Sequence, residues 1–206
     1  MSGILVPDSG KCEILGLTPW RSREQHVRRI GVVFGQRTQL WWDVPVIDSF
    51  DLLKEIYRIP QEAYARSKEE LVEAFGIGSL LDVPVRQLSL GQKMRCELVA
   101  SLLHQPAVLF LDEPTIGLDA TSKLAVRDFI RKINRDRGTT VILTTHDMDD
   151  IETLCSRVIE ASGHASVTAF LQCSVAARRV LNTPYALGHD LDHNNALVLL
   201  VARLFV

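Results

Sequence analysis

Residues 108–114 read Val108-Leu109-Phe110-Leu111-Asp112-Glu113-Pro114. Four apolar residues followed by two acids describe a buried strand whose end presents carboxylates. In open α/β sheets, ligands bind outside the carboxyl ends of the strands. Asp112 at such an end suits a magnesium ion held through water, because a hard cation takes hard oxygen ligands. Glu113, one residue on, suits polarisation of a water that attacks a γ-phosphate. An ordinary buried strand ending in a solvated turn would give the same run. His146 directly follows a second apolar stretch. At a strand end beside the acids it can hydrogen-bond a γ-phosphate and orient the attacking water; a satisfied structural histidine is the plainer alternative. The third group is Leu88-Ser89-Leu90-Gly91-Gln92. Ser89 can cap a helix whose apolar face is Met94, Leu98 and Leu102. A helix N-terminus with a hydroxyl and a bare glycine backbone suits a phosphate, although a merely capped helix looks alike.

The elements that must carry these residues follow from periodicity. Ala107-Val108-Leu109-Phe110-Leu111 is continuously apolar, as a strand buried on both faces requires. Residues 120–136 form an amphipathic helix with Leu124, Val126, Phe129, Ile130 and Ile133 apolar, and Gly138 closes it as a C-cap. Thr140-Val141-Ile142-Leu143-Thr144 is the next buried strand. Strand, helix and strand at this length form a βαβ unit with parallel strands and a right-handed crossover. Upstream, residues 12–17 and 29–34 read as strands. Two helical patterns follow: Ile47, Phe50, Leu53, Ile56 and Tyr57, then Leu71, Ala74 and Phe75. The fold class is α/β, with a mostly helical insertion over about residues 46–104.

Composition narrows the function. The chain has 206 residues, a formal net charge of −2 and 47% hydrophobic residues, which suits one domain or one domain with a tail. Weak acidity speaks against a nucleic-acid binder that works by phosphate neutralisation. Cys12, Cys96, Cys155 and Cys173 are scattered without a CxxC pair and read as reduced thiols of a cytosolic protein. No basic-then-apolar leader opens the sequence, and no apolar run reaches the roughly 18 residues of a membrane span. The longest, residues 196–206, contains Arg203. A membrane role must come through a partner.

Taken in order, the motifs resemble the ABC ATPase family. Ser89 and Gly91 match its signature motif, from which Leu90 departs because glycine is usual there. Residues 108–113 resemble its Walker B strand, and Ile116-Gly117-Leu118-Asp119 its D-loop. His146 falls at the family's switch histidine, and Gln36, after the strand ending at Phe34, resembles its Q-loop glutamine. The likeness covers residues 1–159. It implies a P-loop NTPase-like parallel sheet, incomplete in this sequence, with a helical signature subdomain over 46–104. It implies Glu113 and His146 as catalytic residues. Gln36, Ser89, Gly91, Gln92 and Asp119 would bind nucleotide, and Asp112 and Gln36 would hold the metal. ATP and magnesium are the implied cofactors. The implied partners are an integral membrane permease and a second ATPase domain, in a homo- or heterodimer bridged by Asp119. The implied place is the cytoplasmic face of the membrane. Trp41-Trp42-Asp43 resembles exporters with a separate membrane subunit.

Two parts of the family pattern are missing. No G-x-x-x-x-G-K-[ST] occurs in the sequence, so it reads as a fragment that begins after that loop. Residues 160–206 contain no lysine, depart from the family, and are expected to form a poorly ordered tail without a strand for the sheet. His189 and His193, with Asp190 and Asp192 between them, could suit a metal but lack a third ligand. An exporter ATPase is therefore expected, against a truncated non-catalytic module or a decayed product that cannot bind ATP by itself. A soluble ABC protein of translation or repair fits less well, for want of a second domain or coiled coil.

Overall fold

A computed structural model describes residues 1–35, 37–161, 170–172 and 197–202. Three parallel strands form the centre: β1 (Ile30–Phe34), β2 (Val108–Asp112) and β3 (Thr140–Thr144). They pair in the order β1-β2-β3 and in step, with Phe34 opposite Asp112 and Asp112 opposite Thr144. All three strands thus end on one line, and the loops that leave them emerge together.

Helices fill the connections. After the short α1 (Arg23–Val27) and β1, the chain runs through α2 (Val46–Tyr57), α3 (Gln61–Phe75) and α4 (Leu90–Leu102) before returning as β2. The helix α5 (Ala120–Arg137) joins β2 to β3 and ends at Gly138, whose φ is 63°. Then α6 (Met148–Leu154) leads to β4 (Arg157–Ala161). Alternation along each strand separates two faces. Val33, Leu109, Leu111, Val141 and Leu143 lie in the main core with Leu98 and Leu102 of α4 and Val126, Phe129 and Ile130 of α5. Phe50, Leu53, Tyr64, Leu71 and Phe75 of the helical segment belong to the same continuous cluster. Burying each such side chain contributes about 1.5–3 kcal/mol. Among the described residues the other face buries Ile30, Val108 and Ile142, with Ile14, Val32 and Phe110 packed beside them and partly exposed. The central strands were expected to be buried on both faces; among the described residues one face is covered well and the other in part.

Three further elements differ from the sequence expectations. Residues 12–17 were expected to be a strand. Leu15 and Gly16 instead take φ of 53° and 76°, which folds Leu17 back onto Ile14 and prevents extension. The five-residue α1 was not foreseen. Residues 160–206 were expected to give the sheet no strand, yet β5 (Phe170–Gln172) and β6 (Leu197–Ala202) join it. β6 lies antiparallel between β3 and β4, and β5 pairs antiparallel with β4, for the order β1-β2-β3-β6-β4-β5. The sequence Leu-Val-Leu-Leu-Val-Ala is a continuous apolar run, a pattern that suits a central strand as well as any buried segment. The sheet is therefore parallel only in its first three strands. His189 and His193 lie outside the described residues.

Candidate functional site

The shared carboxyl edge of β1, β2 and β3 assembles the first group of candidate residues. Asp112 is the exposed last residue of β2, and its Oδ1 accepts a hydrogen bond from the Thr144 hydroxyl one strand over. Its Oδ2 has no hydrogen bond among the described residues. Glu113 leaves the strand with φ at 50°. For a residue other than glycine this left-handed conformation costs about 1–3 kcal/mol. It is held by Glu113 N–H donating to Thr144 O at 2.9 Å and by Ile116 N–H donating to Glu113 O at 3.2 Å. The turn directs the carboxylate to His146: Oε1 lies 2.8 Å from Nδ1, although the two residues are 33 apart in sequence. The His146 side chain is 66% exposed and that of Glu113 is 23% exposed, so the pair faces solvent on its histidine side.

Gly35 explains how close β1 comes to this edge. Its N–H donates to Asp112 O at 2.7 Å. A Cβ there would lie 2.6 Å from Glu113 O and 2.7 Å from Asp112 O. Only glycine fits, and the loop that follows starts against the acids. Gln36, the next residue, lies outside the described residues.

The second group sits at two helix N-termini. Ser89 caps α4: its Oγ accepts from Gln92 N–H at 3.3 Å, and Gln92 Oε1 accepts from Ser89 N–H at 2.9 Å. This reciprocal capping box satisfies two otherwise orphaned donors. The side chain of Gln92 is thus engaged with its own helix end. Asp119 caps α5 by accepting from Ser122 N–H at 2.9 Å and from the Ser122 hydroxyl at 2.7 Å, and these bonds hold its carboxyl below the usual range. The two ends touch. A Cβ on Gly91 would meet Ser122 Oγ at 2.5 Å, and a Cβ on Gly117 would meet Leu90 at 3.0 Å. Leu90, where the sequence departs from the family pattern, rests against Gly117 while remaining half exposed. Among the described residues no hydrogen bond joins this group to Glu113 or His146.

Several supporting residues escaped the sequence reading. Asp150, fully buried, binds Arg127 Nε at 2.5 Å, Thr145 Oγ1 at 3.2 Å and Thr115 Oγ1. Asp147 accepts from Lys123 Nζ at 2.6 Å, which holds its carboxyl low and raises the lysine. Glu97, also buried, accepts from the Thr38 hydroxyl and from Gln39 N–H at 3.2 Å; burial pushes its carboxyl up. One signal was present: Arg127, Ile130 and Asn134 share the buried stripe of α5 at i, i+3, i+7 spacing, and a charge on that stripe requires a partner. Asp149-Asp150, by contrast, reads in sequence as a solvated acidic first turn.

No group of three or more His, Cys, Asp or Glu side chains forms a metal cage among the described residues. Magnesium does not need one, since it is commonly held by one or two carboxylates together with substrate phosphates. The free Oδ2 of exposed Asp112 fits that role.

A family profile described as "AAA domain, putative AbiEii toxin, Type IV TA system" matches residues 41–149, just over half of the chain. The chain is 34% identical over 160 residues to the "Probable multidrug ABC transporter ATP-binding protein YbhF" of Escherichia coli, covering 77% of this chain and 27% of that protein. It is 33% identical over 162 residues to the methionine import ATP-binding protein MetN of Geobacillus kaustophilus, covering 77% of this chain and 47% of the relative. The chain therefore spans between about a quarter and a half of these two relatives. Among solved structures, CbiO1 from Clostridium perfringens, part of the ABC transporter complex CbiONQ, superposes with a TM-score of 0.68 at 30% identity, over 77% of this chain and 64% of that one. A dimeric ATP-binding cassette in a post-hydrolysis state with ADP and phosphate has the same fold, with a TM-score of 0.65 at 23% identity over 77% of this chain and 71% of that one. The chain belongs to the AAA-domain family, and the relatives it resembles are named as ATP-binding subunits of ABC transporters.

Proposed function

We propose that this chain supplies the hydrolytic half-site of an ABC exporter that works through a separate membrane subunit. The observation that carries the reading is the 2.8 Å contact between Glu113 Oε1 and His146 Nδ1, beside an exposed Asp112 on the same sheet edge. Asp112 holds the metal through its free oxygen. Magnesium, when bound, offsets the charge of the transferring phosphoryl group. Glu113 accepts the proton of the attacking water, and His146 keeps that carboxylate oriented. Ser89 presents a hydroxyl, and Gly91 a backbone without a side chain, at the α4 N-terminus, whose partial positive charge suits the phosphate held by a second ATPase domain. Asp119 lies beside them for the same partner. No helix among the described residues is long and apolar enough to cross a membrane; in this reading an integral membrane permease supplies the transport path. The cytoplasmic membrane face, the export direction suggested by Trp41 and Trp42, and the choice of homo- or heterodimer belong to this reading. Residues 46–104 act in it as the signature subdomain of a cassette that spans 1–159.

The test adds a glycine-rich phosphate loop and its strand ahead of Met1. Glu113→Gln then lowers turnover by roughly 10²–10⁴-fold with ATP still bound. Loss of binding together with turnover would assign Glu113 to the fold instead. A second reading is favoured by one observation: the 206 residues contain no G-x-x-x-x-G-K-[ST]. In that reading the chain lends its signature helix to a partner and does not hydrolyse ATP itself. Calorimetric titration of the 206-residue chain with magnesium-ATP tests the premise of that second reading, that the chain cannot bind ATP by itself; micromolar binding would overturn it.

A further inference from the structure

The Glu113–His146 contact joins two loops that leave different strands, and both loops are tied to one carboxylate. Asp150 lies in the first turn of α6 with no exposed surface. Its Oδ2 accepts from Thr115 Oγ1, two residues after Glu113, and from Thr145 Oγ1 at 3.2 Å, the residue before His146. Thr145 Oγ1 also accepts from Asp147 N–H at 3.0 Å, which leaves its own proton for Asp150. The other oxygen, Oδ1, accepts from Arg127 Nε at 2.5 Å, and Arg127 is itself buried.

A buried carboxylate needs a counter-charge, and Arg127 supplies it. That pairing alone would account for a structural ion pair between α5 and α6. It does not account for two hydroxyls, one from each loop, meeting on the same carboxylate oxygen. A loop end carrying a strained residue is held only where its surroundings over-determine it, and Glu113 is such a residue. We propose that Asp150 is the positioning residue of the Glu113–His146 pair, setting the separation of the two loops through Thr115 and Thr145 before any nucleotide arrives. This rests on the reading of Glu113 and His146 as the hydrolytic pair. Asp147 offers a competing anchor, because Lys123 and Arg127 hold it at 2.6 and 3.4 Å. It acts on the His146 side alone. Thr115 reaches that side through Asp150, so Thr115 separates the two accounts.

The experiment is nuclear magnetic resonance of the 206-residue chain with ¹⁵N-labelled histidine, without nucleotide. The six histidines are told apart by a His146→Gln variant. The measured quantity is the displacement of the His146 Nδ1 resonance caused by Glu113→Gln. In the otherwise native chain the displacement is clear. In a Thr115→Val background it falls at least twofold, and in Thr115→Ser, which restores the hydroxyl, it returns. The double variant Asp150→Leu, Arg127→Met removes the ion pair together and abolishes the displacement. If that double variant fails to fold, Thr115→Val carries the test, because it keeps the side-chain volume and the Asp150–Arg127 pair. A displacement of native size in Thr115→Val, or no recovery with serine, overturns the proposal; so does the absence of any displacement in the native background. Because no nucleotide is present, a native response in a chain that never hydrolyses ATP would defeat the functional reading and leave the positioning role standing.

Discussion

The acid–histidine edge and the paired helix ends satisfy their polar side chains over different distances along the chain. At the edge, Glu113 meets His146 across 33 residues, Asp112 meets Thr144 across 32, and Thr115 meets Asp150 across 35. At the helix ends, Ser89 is satisfied by Gln92 and Asp119 by Ser122, each three residues away. The edge therefore exists only once the sheet has formed, and its geometry depends on strand register. The helix ends are local units that the sheet merely carries, and they leave Ser89 and Leu90 on the surface. The difference matches the proposed roles. Chemistry needs groups from several strands held together, whereas a surface offered to a partner needs only a rigid local shape.

Close glycine contacts give the sharpest way to break this comparison. Gly35→Ala places a Cβ 2.6–2.7 Å from two backbone carbonyl oxygens at the edge, neither of which can move without disturbing β2. Overpacking of this kind costs about 1–3 kcal/mol. Urea unfolding should show that loss; unchanged stability would mean the edge is looser than its hydrogen bonds imply. Gly91→Ala meets mainly a serine hydroxyl, which can rotate away, and alanine is the better helix former. Its net cost is smaller, about 1 kcal/mol or less. Part of it should be recovered when Ser122→Ala is added, and a double-mutant cycle would read that coupling. Strictly additive effects would show that the two helix ends do not touch.

The same contrast decides what the sequence could reveal. The places of Asp112, Glu113 and His146 at one edge were legible because each follows an apolar run that ends as a strand. Ser89 was legible as a cap because capping is local. The reciprocal role of Gln92 was equally local, but Gln92 was assigned to nucleotide alone. Asp150, Thr115 and Glu97 were hidden, since apart from the Asp150–Thr145 bond the partners named for them lie 23–59 residues away and nothing short-range marks them as buried. The antiparallel strand at Leu197–Ala202 was hidden for a related reason. A short apolar run states that it is buried, but strand partner and direction are set by the sheet that receives it. Residues 12–17 failed the other way, when a left-handed turn at Leu15-Gly16 overrode strand propensity.

Glu97 bridges the two regions and yields the subtlest prediction. It lies on α4, the helix that Ser89 caps, yet it binds Thr38 and Gln39 in the loop that leaves β1. Burial raises its carboxyl above the ordinary 4.5, and the hydrogen bonds from Thr38 and Gln39 only partly oppose that. The folded state thus holds this proton more tightly than the unfolded state. Stability from this group is fully present below about pH 4.5 and is lost as pH rises through the folded value. Glu97→Gln keeps the shape and one acceptor but cannot ionise. The exchanged hydrogen bonds cost about 1 kcal/mol at every pH. The part that identifies the carboxylate is the trend: relative to the native chain, the glutamine variant should gain stability as pH rises from about 4.5 through the folded value, and then level off. Denaturant unfolding at several pH values measures the difference directly. A difference that stays flat across this range would show that Glu97 is no harder to ionise in the folded chain than in the unfolded one. The tie between the signature helix and the β1 loop would then rest on the hydrogen bonds alone, with no net penalty for ionising the buried carboxyl.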